Sequence, residues 1–173
     1  NKKKQILILL FFIFTVVTFI FLKKKKKSYA FDYESNYMKD YILNFEGYWR
    51  DCNKGGLPTY KGVYLVYRCN YNVQNDTVNL IEIIYIGQAD NIHDRHIRHE
   101  KEQIFKSQLQ EGEELCFSCA KVEQDLDLVE NALIFAQKPS LNEKGKDNYA
   151  YNEAHLVLSG SCTGMKYTDF TIR

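Results

Sequence analysis

Proline is nearly absent, with two in 173 residues, whereas 14% of the chain is aromatic and 45% apolar. That balance excludes a disordered, proline-rich tail and calls for a packed core. A regular cysteine framework is missing too. The five cysteines, Cys52, Cys69, Cys116, Cys119 and Cys162, are odd in number and irregular in spacing, which excludes a disulfide scaffold and favours a reducing compartment. Cys116 and Cys119 form a C-x-x-C within the strand-like run Leu-Cys-Phe-Ser-Cys-Ala-Lys-Val, but no second Cys/His pair stands at zinc-finger spacing. Acid is lacking from residues 1–27, which hold eight of the 23 Lys and Arg, leaving 15 basic against 22 acidic residues from Ser28 onward. The body is therefore acidic, and a generally basic coat for nucleic acid is excluded. The length allows one globular domain with attachments.

What is present at the N-terminus is an apolar run of 17 residues, Ile6 to Leu22, between Lys2–Lys4 and Lys23–Lys27. It has the shortest length that spans a bilayer as a helix. Lysines at the place of cleavage argue against a secretory signal, so a single-pass anchor is expected, with the lysine bias weakly keeping the body in the cytoplasm. On the alternative reading the run is upstream sequence and the working protein begins near Met38, the first methionine.

In the body, residues 28–50 read as a lead-in strand or a short helix, and Asn53 to Pro58 as a loop. Lys61 to Cys69 alternates β-branched and aromatic residues as a strand does, and Leu80 to Ile86 is a second apolar run. Together they predict an antiparallel hairpin joined by the polar stretch Asn70 to Asn79. Ala89-Asp90-Asn91 supplies a cap for a helix running to about Ser107. Leu115 to Val122 is a third strand, and Asp125 to Lys138 a helix capped by Asp125 or Asp127 and stopped by Pro139. His155 to Ser159 is strand-like. The expected fold is α/β (α+β): a small three-stranded antiparallel sheet flanked by helices, with an apolar N-terminal helix.

Residue parity puts Tyr64, Val66 and Arg68 on one face of the first strand, and Ile83 with Tyr85 on one face of its partner, so two phenols can meet. Arg95 and His99 are four apart on the predicted helix, with Arg98 three from Arg95. A guanidinium beside an imidazole suits a phosphate and a proton transfer. The plainer alternative is a solvated helix face, since Asp94, Glu100, Lys101 and Glu102 share it. Glu130 falls within an apolar stripe of Leu126, Val129, Leu133 and Ile134. A carboxylate there is costly unless it is paired, binds a cation, or reaches solvent at the stripe's edge.

Gly62-Val63-Tyr64, Tyr85-Ile86-Gly87, Arg95 with His99, and Glu130 leading to Pro139 and Asn142 resemble, in that order, the GIY-YIG nuclease superfamily and its small stand-alone bacterial members. Val63 stands where the family has isoleucine, a conservative exchange. The resemblance covers residues 59–143 and leaves a lysine-flanked segment (1–27), a lead-in (28–58) and a C-terminal extension (144–173). It implies a metal-dependent endonuclease that hydrolyses phosphodiester bonds, with DNA favoured over RNA. It further implies that Tyr64 activates water with His99 helping to remove its proton, and that Tyr85 bonds the phosphate or the water. Arg95 would stabilise the phosphorane charge, and Glu130 would hold one Mg2+ or Mn2+. Lys61, Gly87, Arg98 and Asn142 are the expected substrate contacts. The competing expectation is a catalytically inactive module on the same fold that binds nucleic acid or protein, tethered or not to a membrane through residues 6–22. Because the body is acidic, any grip on a polyanion must be local.

Overall fold

The computed structural model describes residues 38–173, a single compact unit. The expected apolar helix over residues 6–22 lies outside the described residues. Against the expectation of a transmembrane helix, no helix among the described residues is long and apolar enough to cross a membrane. The longest of them has 12 residues and reaches only about 18 Å.

The three-stranded expectation is also corrected, because six strands form one mixed sheet in the order β3-β2-β4-β1-β5-β6. The strands are β1 (Lys39–Arg50), β2 (Gly62–Asn72), β3 (Thr77–Ala89), β4 (Glu114–Lys121), β5 (Ala154–Gly160) and β6 (Asp169–Ile172). The lead-in segment thus supplies an interior strand, antiparallel to β4 and parallel to β5. The C-terminal extension supplies two more strands. Helices are few: α1 (Ile92–Ile97), α2 (Glu102–Lys106) and α3 (Leu126–Gln137), with a 3₁₀ helix at Asp51–Gly56 where a plain loop was expected.

Strand alternation places a core on each face of the sheet. Val63, Leu65 and Tyr67 point to the core shared with Val129 and Leu133 of α3. Tyr64 and Val66 point to the other, which Leu57, Ile92 and Phe105 close from the 3₁₀ helix, α1 and α2. Every residue from Gly62 to Tyr67 is buried, as expected for a strand covered on both faces. Gly62 allows the close approach of β4, since a Cβ there would lie 2.1 Å from the Ala120 carbonyl oxygen. Cys116 and Cys119 fall in opposite cores, which separates the C-x-x-C pair.

Three local expectations change. The hairpin pairs as far as Asn72 with Thr77, so only Val73 to Asp76 connect β2 to β3. The Asn72 side chain accepts from the amides of Gln74 and Asn75 and closes this turn without a long polar loop. In β3 the register shifts between the Tyr85 and Ile83 pairs, leaving Ile84 as an extra residue. That bulge puts Ile84 and Tyr85 in one core and Ile83 against the other, so Ile83 and Tyr85 do not share a face. Finally, the predicted helix to Ser107 breaks after Ile97, with Arg98 at φ −136° and ψ 48°. Asn91 caps α1 by accepting from the Asp94 amide. The Asp125 carboxylate, in contrast, does not cap α3 and takes Lys39 and Tyr41 instead.

Candidate active site

Tyr64 of β2 and Tyr85 of β3 stand on the same core face, with ring centroids 6.3 Å apart. Gly87 makes room for them: a Cβ there would lie 2.4 Å from Tyr64 Oη and 2.8 Å from Tyr85 Cε1. Gly87→Ala must therefore push the Tyr64 ring from its place. We expect a loss of about 1–3 kcal/mol of stability by thermal denaturation, together with an altered His99 imidazole NMR shift.

The break between α1 and α2 turns His99 inward. Its Nε2 lies 2.7 Å from Tyr64 Oη, and its Nδ1 accepts the Lys101 backbone N–H at 3.0 Å. An acceptor at Nδ1 leaves the ring proton on Nε2, so His99 donates to the phenol. Burial, reinforced by Arg95, lowers the His99 pKa to about 4, which keeps the ring neutral near pH 7. Arg95 Nε adds a second, long donor to Tyr64 Oη at 3.5 Å. Burial raises the Tyr64 pKa and the Arg95 hydrogen bond opposes it. Tyr85 is raised as well, by burial and then by Glu130.

Arg95 is occupied. Its guanidinium makes two parallel bonds to Glu100, both 2.8 Å, the fork geometry that a phosphate also fits. Burial acts against its charge, but Glu100 and Tyr64 hold its pKa above the ordinary arginine value.

Glu130 of α3 lines a cleft of about 580 Å³ with Tyr85, Lys101, Asn142, Lys144 and Tyr151. Burial and then Asp127 raise its pKa to about 7, while Arg95 and hydrogen bonding from Gln88 pull the other way. Among the described residues it has no ion-pair partner. A half-buried carboxylate without a cation fits a divalent ion. Also among the described residues, no group of three or more His, Cys, Asp or Glu could hold a metal.

Tyr64, Tyr85, Arg95, His99 and Glu130 therefore come together, from β2, β3, α1, the α1–α2 break and α3. Lys61 and Arg98 lie apart from this group, and Asn142 lines the cleft with its amide already engaged. Lys61 pairs with Asp90 at 3.7 Å and lines a neighbouring cleft. Arg98 is exposed in the helix break. Asn142 spends both amide groups on β3, with Oδ1 accepting from Ile86 N at 3.0 Å and Nδ2 donating to Ile86 O at 2.8 Å. It holds the edge of the strand that carries Tyr85.

Sequence reasoning missed Lys101, whose ammonium lies 5.2 Å from the Tyr85 ring centroid. No periodicity could place it, because the helix breaks just before it. His96 was also missed. It is buried edge-on to Tyr64 at 4.5 Å, with Nε2 unpartnered. Its spacing of four from Ile92 was the available signal of an inward position.

No family model, curated protein or solved structure matches the chain. Comparison with known proteins thus lends the nuclease reading no support, which falls on the motif residues and their geometry.

Proposed function

We propose that the chain is a metal-dependent endonuclease hydrolysing phosphodiester bonds of DNA. The observation that carries this reading is Tyr64 Oη, which receives N–H donors from both His99 and Arg95 close to the cleft of Tyr85 and Glu130. Two donors on one phenol oxygen oppose the burial that holds the phenol protonated and aim that oxygen at an attacking water. His99, neutral and protonated on Nε2, holds that oxygen in place. Lys101 and Lys144 can each pair with a phosphate oxygen, offsetting Glu143 in the same cleft, and Arg95 meets the charge that develops on the phosphate once Glu100 yields. Glu130 would hold Mg2+ or Mn2+, which when bound neutralises charge on the leaving oxygen.

A second reading, a module that grips nucleic acid or protein without cutting, rests on one specific observation: Tyr64 is fully buried and Arg95 is already satisfied by Glu100. Supercoiled plasmid separates the two. The nuclease reading expects nicked and linear products with Mg2+, none with chelator, and a rate that climbs from pH 6 to pH 8 as Glu130 ionises. Bound but intact plasmid under all these conditions favours the silent module.

A further inference from the structure

Tyr151 stands at the mouth of the Glu130 cleft and also lines the adjoining cleft of about 770 Å³. Its side chain is 42% exposed, yet the ring is held. Tyr149 packs beside it at 5.8 Å between centroids and Phe135 beside Tyr149 at 6.2 Å, forming a short aromatic row. Asn131 Nδ2 donates to the Tyr151 hydroxyl at 3.4 Å and to the Asp127 carbonyl oxygen at 2.9 Å.

Charge differs on the two sides of this ring. On the Glu130 side Lys101 and Lys144 balance Glu130 and Glu143. On the other side Lys61 faces Asp90, Asp125 and Asp127. A single phosphate therefore meets no net repulsion in the Glu130 cleft, whereas phosphates of a second strand crossing the adjoining cleft meet net negative charge. With so little net positive charge, a held aromatic ring is the available source of affinity for a polynucleotide, because every base has a π-face to stack.

We infer that Tyr151 is a stacking platform for an unpaired base next to the phosphate taken by the Tyr85–Glu130 cleft, so that single-stranded or branched DNA is preferred over continuous duplex. This rests on the nuclease reading of that cleft.

The test measures binding of the full chain to a labelled single strand and to its duplex by anisotropy, in chelator at low salt, so that nothing is cut. The single strand should bind more tightly. Tyr151→Ala should weaken that binding about tenfold without changing duplex affinity, and Tyr151→Phe should preserve it. Equal single-strand affinity of Tyr151→Ala and the unaltered protein, or no preference for the single strand, overturns the inference. Cutting of the same oligonucleotides with Mg2+ is scored separately. A Tyr151-dependent preference without cutting removes the nuclease reading and leaves the platform standing. Cutting with no effect of Tyr151→Ala removes the platform alone.

Discussion

Glu130→Gln is expected to cut DNA about a thousandfold more slowly or worse with Mg2+ present, and at the same time to be more stable than the unaltered protein at pH 8 without metal. The two effects share one cause. Burial raises the Glu130 pKa from 4.5 to about 7, so the folded protein holds that proton more tightly than the unfolded chain does. For a carboxylate shifted upward, the folded state is favoured relative to the unfolded state below pH 4.5. This advantage declines as pH rises toward 7, and the cost is fully present above 7. Glutamine carries no charge and escapes that cost. Solvent reaches part of this side chain, so the gain above pH 7 should be about 1–2 kcal/mol, less than the bare shift implies. Below pH 4.5 the two proteins should differ little. Thermal denaturation across pH 4 to 9 measures the gain, and plasmid cutting measures the loss. An equally active glutamine variant would remove Glu130 from the chemistry. Equal stability at pH 8 would mean that the carboxylate is well solvated.

Metal reverses the balance. Because the ion binds the carboxylate and not the acid, Mg2+ should stabilise the unaltered protein increasingly as pH rises through about 7 and leave the glutamine variant unmoved. A site that gathers a single carboxylate binds its ion only weakly before substrate arrives. Millimolar Mg2+ is therefore the appropriate range, with substrate phosphate supplying the remaining oxygens.

The parts of the fold written in local pattern are the parts a reader of the sequence could see. Lys61 to Cys69 and Leu115 to Val122 alternate, and β2 and β4 are found there. The stripe through Val129 and Leu133 becomes the buried side of α3. β1 was ambiguous because its neighbours come from far along the chain: Tyr41 pairs with Leu156, and nothing near residue 41 encodes that contact. β6, only four residues long, carries too little pattern to register. The bulge at Ile84 defeated parity, since one extra residue inverts the face assignments from there until a second register shift between the Glu82 and Leu80 pairs. At the candidate site, residue types and order were legible because the two aromatic-glycine triplets, Arg95 with His99, and Glu130 follow one another in the order of the family they resemble. What each one bonds to was not. That Glu100 sits on Arg95, that Lys101 N–H fixes the His99 tautomer, and that Asn142 is consumed by Ile86 all depend on backbone geometry in breaks and loops.

Tyr64→Phe tests the centre of the arrangement with the smallest possible change. The ring, fully buried, keeps its packing against Tyr85, His96 and His99, and only the hydroxyl goes. If that oxygen takes a proton from the attacking water, kcat should fall by about 10² to 10⁴ with KM little changed. The rise of the rate near pH 7, which follows Glu130 ionisation, should remain in this variant. Stability should drop by about 1–2 kcal/mol, because the His99 Nε2–H and Arg95 Nε–H lose their shared acceptor. Tyr67→Phe is the matched comparison. It removes an equally buried phenolic hydroxyl from the same strand, but on the opposite face of the sheet, and should cut DNA at the unaltered rate. If the two variants cut alike, the phenol of Tyr64 is a packing group and the silent module gains the argument. If only Tyr64→Phe fails, and fails in kcat, the hydroxyl between His99 and Arg95 belongs to the reaction.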